Sequence, residues 1–120
     1  MFPNDMQTIR DFQAFHEWLD QKNNFNRDIF LNTVLLCGEV GELAQVLKKV
    51  HWMTEQERND GEAAITREEA LAEHRESLGQ ELADCLAYIF KLANYTGVDL
   101  QEAYLKKMSE NVERTWKYRR

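Results

Sequence analysis

Two short acidic motifs offer the clearest chemistry in this sequence. Glu39-Val40-Gly41-Glu42 and Glu81-Leu82-Ala83-Asp84 each set two acids three residues apart inside an apolar, helix-periodic run. Residues three apart share a helix face. Two such helices packed together would gather four carboxylates, and like charges drawn out of water are costly unless something positive sits among them. A divalent cation is the simplest candidate. At about 100° per residue, Leu43 and Val46 flank Glu39, with Leu35 and Val50 on the same side. Cys85, Tyr88 and Leu92 flank Glu81 in the same way, with Leu78 nearby. Glu39 and Glu81 are therefore expected inside the apolar arcs, and Glu42 and Asp84 at their margins. The alternative is a pair of amphipathic helices whose acids sit at the rim, matched to lysine or arginine.

All-oxygen ligand sets favour hard cations, Mg2+ first and Mn2+ next. A di-iron bundle would need Glu-x-x-His motifs, yet the residues three before His16, His51 and His74 are Gln13, Lys48 and Leu71. The sequence has no His-x-x-x-His pair for zinc and no Gly-x-x-x-x-Gly-Lys phosphate loop. A second group, Lys107, Asn111 and Arg114, is spaced four and three apart and shares a face of a predicted helix. Cations beside a carboxylate–metal cluster suit phosphate oxygens. Together these groups point to metal-assisted hydrolysis of a polyphosphate. The metal would orient the phosphates and acidify a bound water, and a carboxylate not engaged by metal would take the proton.

Four helices must position these residues. The first is expected over residues 5–21, with Ile9, Phe12, Phe15 and Leu19 on one side, and is broken by the asparagine-rich segment 22–26. The second runs over 27–52, with Phe30, Leu36, Val40, Leu43, Leu47 and Val50 as its apolar stripe. A polar connection covers 54–65. Thr66-Arg67-Glu68-Glu69 is a capping box that opens the third helix. That helix continues to residue 95, with a weak point at Gly79 and a stop at Thr96-Gly97. Asp99 caps the fourth, expected to reach residue 118, with Trp116 and Tyr118 packing against a partner subunit or the second helix. No strand is predicted, so the fold class is all-α, within one domain over residues 1–120.

Bulk properties bound the partners. The net charge of −6 argues against general nucleic-acid binding, which calls for a basic face. The N-terminal residues do not read as a signal peptide. No uninterrupted apolar run approaches the roughly 18 residues of a membrane span. Cys37 and Cys85 fit neither a disulfide framework nor a zinc pattern, and both are expected to be buried free thiols in a reducing cytoplasm. The four helices offer more apolar surface than one small bundle covers, so a homo-oligomer is expected.

Taken in order, Gly38-Glu39-Val40-Gly41-Glu42-Leu43-Ala44, Glu81-Leu82-Ala83-Asp84 and Lys107-Met108-Ser109-Glu110-Asn111 resemble the MazG-like all-α nucleoside triphosphate pyrophosphohydrolases. The likeness is to the small single-domain, dCTP pyrophosphatase-like branch, and it covers residues 30–114. It implies a four-helix protomer whose bundle core is completed by a partner subunit, in a homodimer or homotetramer. It also implies Mg2+ on Glu39, Glu42, Glu81 and Asp84, and phosphate contacts from Lys107, Asn111 and Arg114. Tyr88 matches a nucleotide-pocket position of the dCTP-type relatives. The implied reaction converts a nucleoside triphosphate and water to a monophosphate and pyrophosphate, a house-cleaning activity on the nucleotide pool. Many relatives carry a further acid where Gly38 stands here, and the 54–65 connection is longer than in a minimal member.

Aromatic side chains stack on bases at low entropic cost. This makes His16 and Trp52 candidates beside Tyr88, while Phe12 and Phe25 read as core. Two non-hydrolytic alternatives fit the same helices: a helical interaction module, and a nucleotide-binding sensor that has lost turnover.

Overall fold

The structure, a computed structural model, describes residues 5–55 and 65–114. It contains four helices: α1 (Ile9–Asn23), α2 (Ile29–Glu55), α3 (Arg67–Tyr95) and α4 (Leu100–Glu113). Among the described residues there is no strand, and the all-α expectation holds.

Local chemistry fixes the helix ends. α1 starts four residues later than its sequence pattern suggests, because Thr8 and Asp11 form a reciprocal capping box. The Asp11 N–H donates to Thr8 Oγ1 at 3.0 Å, and the Thr8 N–H donates to the Asp11 carboxylate at 3.0 Å. Asn24, in the left-handed region at φ 51°, closes α1 by donating its N–H to the Asp20 carbonyl. Thr66 and Glu69 form the expected box at α3, with 3.1 and 3.3 Å bonds. α3 then passes Gly79 unbroken for 29 residues. It stops in a Schellman turn at Gly97 (φ 72°), where the Gly97 N–H reaches the Asn94 carbonyl at 3.3 Å and the Val98 N–H the Ala93 carbonyl at 2.9 Å. Asp99 caps α4 as expected, accepting from the Glu102 N–H at 3.2 Å. α4 is shorter than expected: it ends at Glu113, and Arg114 adopts an extended backbone. Trp116, Tyr118 and most of the 54–65 connection lie outside the described residues.

The chain divides into two compact units. One comprises residues 30–89, which hold α2 and most of α3. Glu39 lies beside Glu81 and Asp84, whereas Met53 meets His74 with 3.2 Å between Sδ and Nε2. The two helices therefore run antiparallel. Asn32, Val46 and Val50 are the buried residues of α2, and Ala70 and Cys85 are buried on the facing part of α3. Helical spacing puts Asn32, Val46 and Val50 within about 20° of Glu39 around the α2 axis.

The other unit comprises residues 1–29 and 90–120, of which 5–29 and 90–114 are described. Here α1 packs on the end of α3 and on α4. Phe12 lies 5.6 Å from Phe90 between ring centroids. Gln13, only 8% exposed, works as a polar staple. Its amide nitrogen donates to Asn94 Oδ1 (3.1 Å) and the Val98 carbonyl (2.9 Å), and its oxygen accepts from the Leu100 N–H (2.8 Å). Asn94 Nδ2 returns a bond to the Gln13 carbonyl at 2.9 Å. Arg10 Nη2 pairs with Asp99 at 2.6 Å at the surface.

Three sequence expectations are corrected. Phe30, Val40 and Leu47 are 77%, 49% and 44% exposed, so much of the predicted α2 stripe faces outward; one neighbouring helix covers only one arc of a helix this apolar. Cys37 is exposed for the same reason, while Cys85 is buried as expected. Finally, α2 is long and apolar enough to cross a membrane by length and composition, which a search for unbroken apolar runs misses. Glu39 and Glu42 stand near the middle of that helix, where each acid would cost about 2.5–3.5 kcal/mol in a bilayer.

Gln13→Leu leaves the Leu100 N–H and Val98 carbonyl without their side-chain partner inside the fold. It is expected to lower stability by about 2–3 kcal/mol, read as a reduced urea midpoint with unchanged slope.

Candidate metal centre

α2 and α3 bring three of the four predicted ligands together. Glu39, Glu81 and Asp84 each present a carboxylate oxygen, and these oxygens all lie within 4.8 Å of one another. Glu39 and Glu81 are half-buried inside the helix contact, and Asp84 is exposed at its edge. Glu42 is exposed and falls outside this trio, yet it stands near enough to act on Glu39. The Glu39 carboxyl is held above its usual range, first by burial and then by Asp84, Glu81 and Glu42. The ion pairs found among the described residues engage Glu17, Asp20 and Asp99, and none of these four acids.

Three converging carboxylates, two of them half-buried, form a donor set suited to a hard divalent cation. The neighbours respond to the same negative field. The Cys85 thiol is pushed up by burial and then by Glu39, Glu81 and Asp84. The Tyr88 hydroxyl is pushed up by burial, Glu39 and Asp84. Tyr88 therefore stays protonated near the acids and keeps its O–H as a donor. The sequence pattern already set Cys85 beside Glu81, four residues on along the same helix face. Gly38 and Gly41 flank these acids in α2, and a Cβ added at either would meet nothing within 4 Å.

The remaining candidates are distributed as follows. Trp52 is in the same unit and 56% exposed. It lies 13 residues from Glu39, about 20 Å further along the helix and on a different side, so α2 does not bring it to the acids. His16 belongs to the other unit, half-buried, with its ring stacked on Phe90 (5.7 Å, 18°) and edge-on to Phe15 (5.2 Å, 75°). Burial lowers its pKa below the ordinary value. Lys107, Asn111 and Arg114 are also in that unit. Lys107 is exposed on α4, and Asn111 is half-buried with its amide 3.7 Å from Met108 Sδ. Arg114 is the C-cap. Because the helix ends before it, Arg114 does not continue the face shared by Lys107 and Asn111.

A family model for the MazG nucleotide pyrophosphohydrolase domain matches residues 30–116, which span both acidic motifs and the Lys107–Asn111 pair. The chain belongs to this family. Among curated relatives, dCTP pyrophosphatase 1 of Mus musculus is 34% identical over 105 residues, which cover 88% of this chain and 49% of the relative. The Bos taurus dCTP pyrophosphatase 1 is 35% identical over 105 residues, covering 88% and 50%. The chain thus spans about half the length of the curated relatives it matches. The carboxylate cluster of α2 and α3 lies within the matched region.

Two outcomes follow. Mg2+ should raise the melting temperature of the wild-type protein, since a ligand of the native state stabilises it. Asp84→Asn should melt slightly higher than wild type without metal, by up to about 1 kcal/mol from relieved repulsion, and lose most of the Mg2+ response. For His16, the native state holds fewer protons than the unfolded chain just below the ordinary pKa of about 6.5. Stability should therefore fall as pH drops through that value, and His16→Gln should flatten this slope in urea titrations from pH 7 to 5.

Proposed function

We propose that this chain is a Mg2+-dependent nucleoside triphosphate pyrophosphohydrolase, converting a (d)NTP and water to the monophosphate and pyrophosphate. The observation that carries this reading is the convergence of Glu39, Glu81 and Asp84 within 4.8 Å in a MazG domain. Glu39, Glu81 and Asp84, joined by Glu42, are the residues that would hold Mg2+, with Mn2+ as a substitute. The ion supplies charge neutralisation at the phosphates and a more acidic water.

The chain's own groups take the other roles. Glu42, exposed and outside the close trio, is the acid the ion would engage least, which would leave it an oxygen to hold a water and accept its proton. Lys107 and Asn111 are assigned to phosphate oxygens on the strength of the family motif, with Arg114 as a more distant third. Tyr88, protonated and next to the acids, offers a ring and a hydroxyl to the nucleoside. The relatives named as dCTP pyrophosphatases make dCTP the first substrate to test. The stacked environment of His16 favours a packing role over base recognition. We further propose that residues 1–120 act as one domain in a cytoplasmic homodimer or homotetramer. The exposed apolar side chains of α2, such as Phe30 and Val34 at 77% and 66%, support assembly.

A panel of common and modified (d)NTPs with Mg2+ should yield the monophosphate and pyrophosphate from at least one member, and none with chelator. Glu81→Gln and Asp84→Asn should fold and lose about a hundredfold or more in kcat, whereas Lys107→Met should mainly raise KM. Failure to release pyrophosphate from every nucleotide would overturn the proposal.

A further inference from the structure

The connection between α1 and α2, residues 24–28, is exposed along its whole length. Its contacts nevertheless converge on one buried side chain. Asp20, in the last turn of α1, is only 3% exposed. The Tyr95 hydroxyl donates to its Oδ2. Lys91 Nζ stands 3.6 Å from its Oδ1, and Arg27 Nη1 stands 4.0 Å from its Oδ2. Arg27 also pairs with Glu17 at 3.0 Å.

The same partners grip the connection itself. The Lys91 ammonium lies over the Phe25 ring at 4.8 Å, and the Arg27 guanidinium lies over the Tyr95 ring at 4.7 Å. Lys91 and Tyr95 are four apart on α3 and so present one face. Each therefore touches both Asp20 and the connecting segment. The backbone adds the Phe25 N–H to the Asp20 carbonyl (3.1 Å) and the Asp28 N–H to Asn26 Oδ1 (2.8 Å).

We infer that residues 24–28 form a strap latched by the Asp20 carboxylate, which opens as one unit when that carboxylate loses its partners. Charged hydrogen bonds in a network reinforce one another. Removing the shared acceptor takes from Lys91 and Tyr95 the carboxylate they both meet, and leaves Arg27 paired with Glu17. α2 begins at Ile29, directly after the strap. Local openings of this kind occur below the global unfolding free energy.

Native-state hydrogen exchange on the full chain tests the latch. In Tyr95→Phe, the amides of Phe25 and Asp28 should exchange about tenfold faster or more, while that of Ala103 in α4 keeps its wild-type rate. Asp20→Asn should have a larger effect, and the double variant should exchange no faster than Asp20→Asn alone, because both changes act through one carboxylate. If Asp20→Asn does not fold, Arg27→Gln and its combination with Tyr95→Phe take its place under the same criterion. Unchanged exchange at Phe25 and Asp28, equal acceleration at Ala103, or additive effects in the double variant would each overturn the inference.

Discussion

Repulsion among Glu39, Glu81 and Asp84 is the constraint on which the rest of the 30–89 unit turns. The antiparallel contact of α2 and α3 that buries Val46, Val50, Ala70 and Cys85 also presses these carboxylates into one place. Apolar contacts made there work against this repulsion, and the Glu39 carboxyl is held above its usual range first by burial and then by Asp84, Glu81 and Glu42. A fold selected for stability alone would not keep such a cluster in its helix seam. Under the proposed function a cation would complete this cluster, and metal binding and helix packing would then be parts of the same free-energy balance.

The unit built from α1, the end of α3 and α4 solves the opposite problem. Its interior polar groups are fully engaged: Gln13 with Asn94, Val98 and Leu100, and Asp20 with Tyr95, Lys91 and Arg27. No buried side-chain nitrogen or oxygen among the described residues lacks a partner. Directional bonds of this kind fix how α1 enters and how α4 leaves, which apolar packing alone does loosely. One unit thus concentrates unsatisfied charge and the other satisfied polarity.

The acidic helices were legible because helical period and residue type agreed. Glu39 and Glu81 fall within apolar arcs, and the half-burial of both follows from that phase. The caps at Thr66 and Asp99 were equally clear, being local and chemical. The start of α1 was misread because the apolar pattern overran Thr8, whose cap needs Asp11 to be recognised. The exposed stripe of α2 was misread because periodicity reports which residues could be covered, not how much cover the chain supplies. Gln13 and Asp20 gave no signal at all. Their hydrogen-bond partners Asn94 and Tyr95 lie more than 70 residues away, and a buried polar residue looks like a surface one until those partners are placed.

The glycines beside the acids carry one last implication. Gly38 and Gly41 are not demanded by any atom near them, and a glycine within a helix costs about 0.5–1 kcal/mol against alanine. They strip side-chain cover from the solvent-facing carbonyls of α2, and water drawn to such carbonyls lets a helix bend. In α2 that cost falls within the same stretch that carries Glu39 and Glu42.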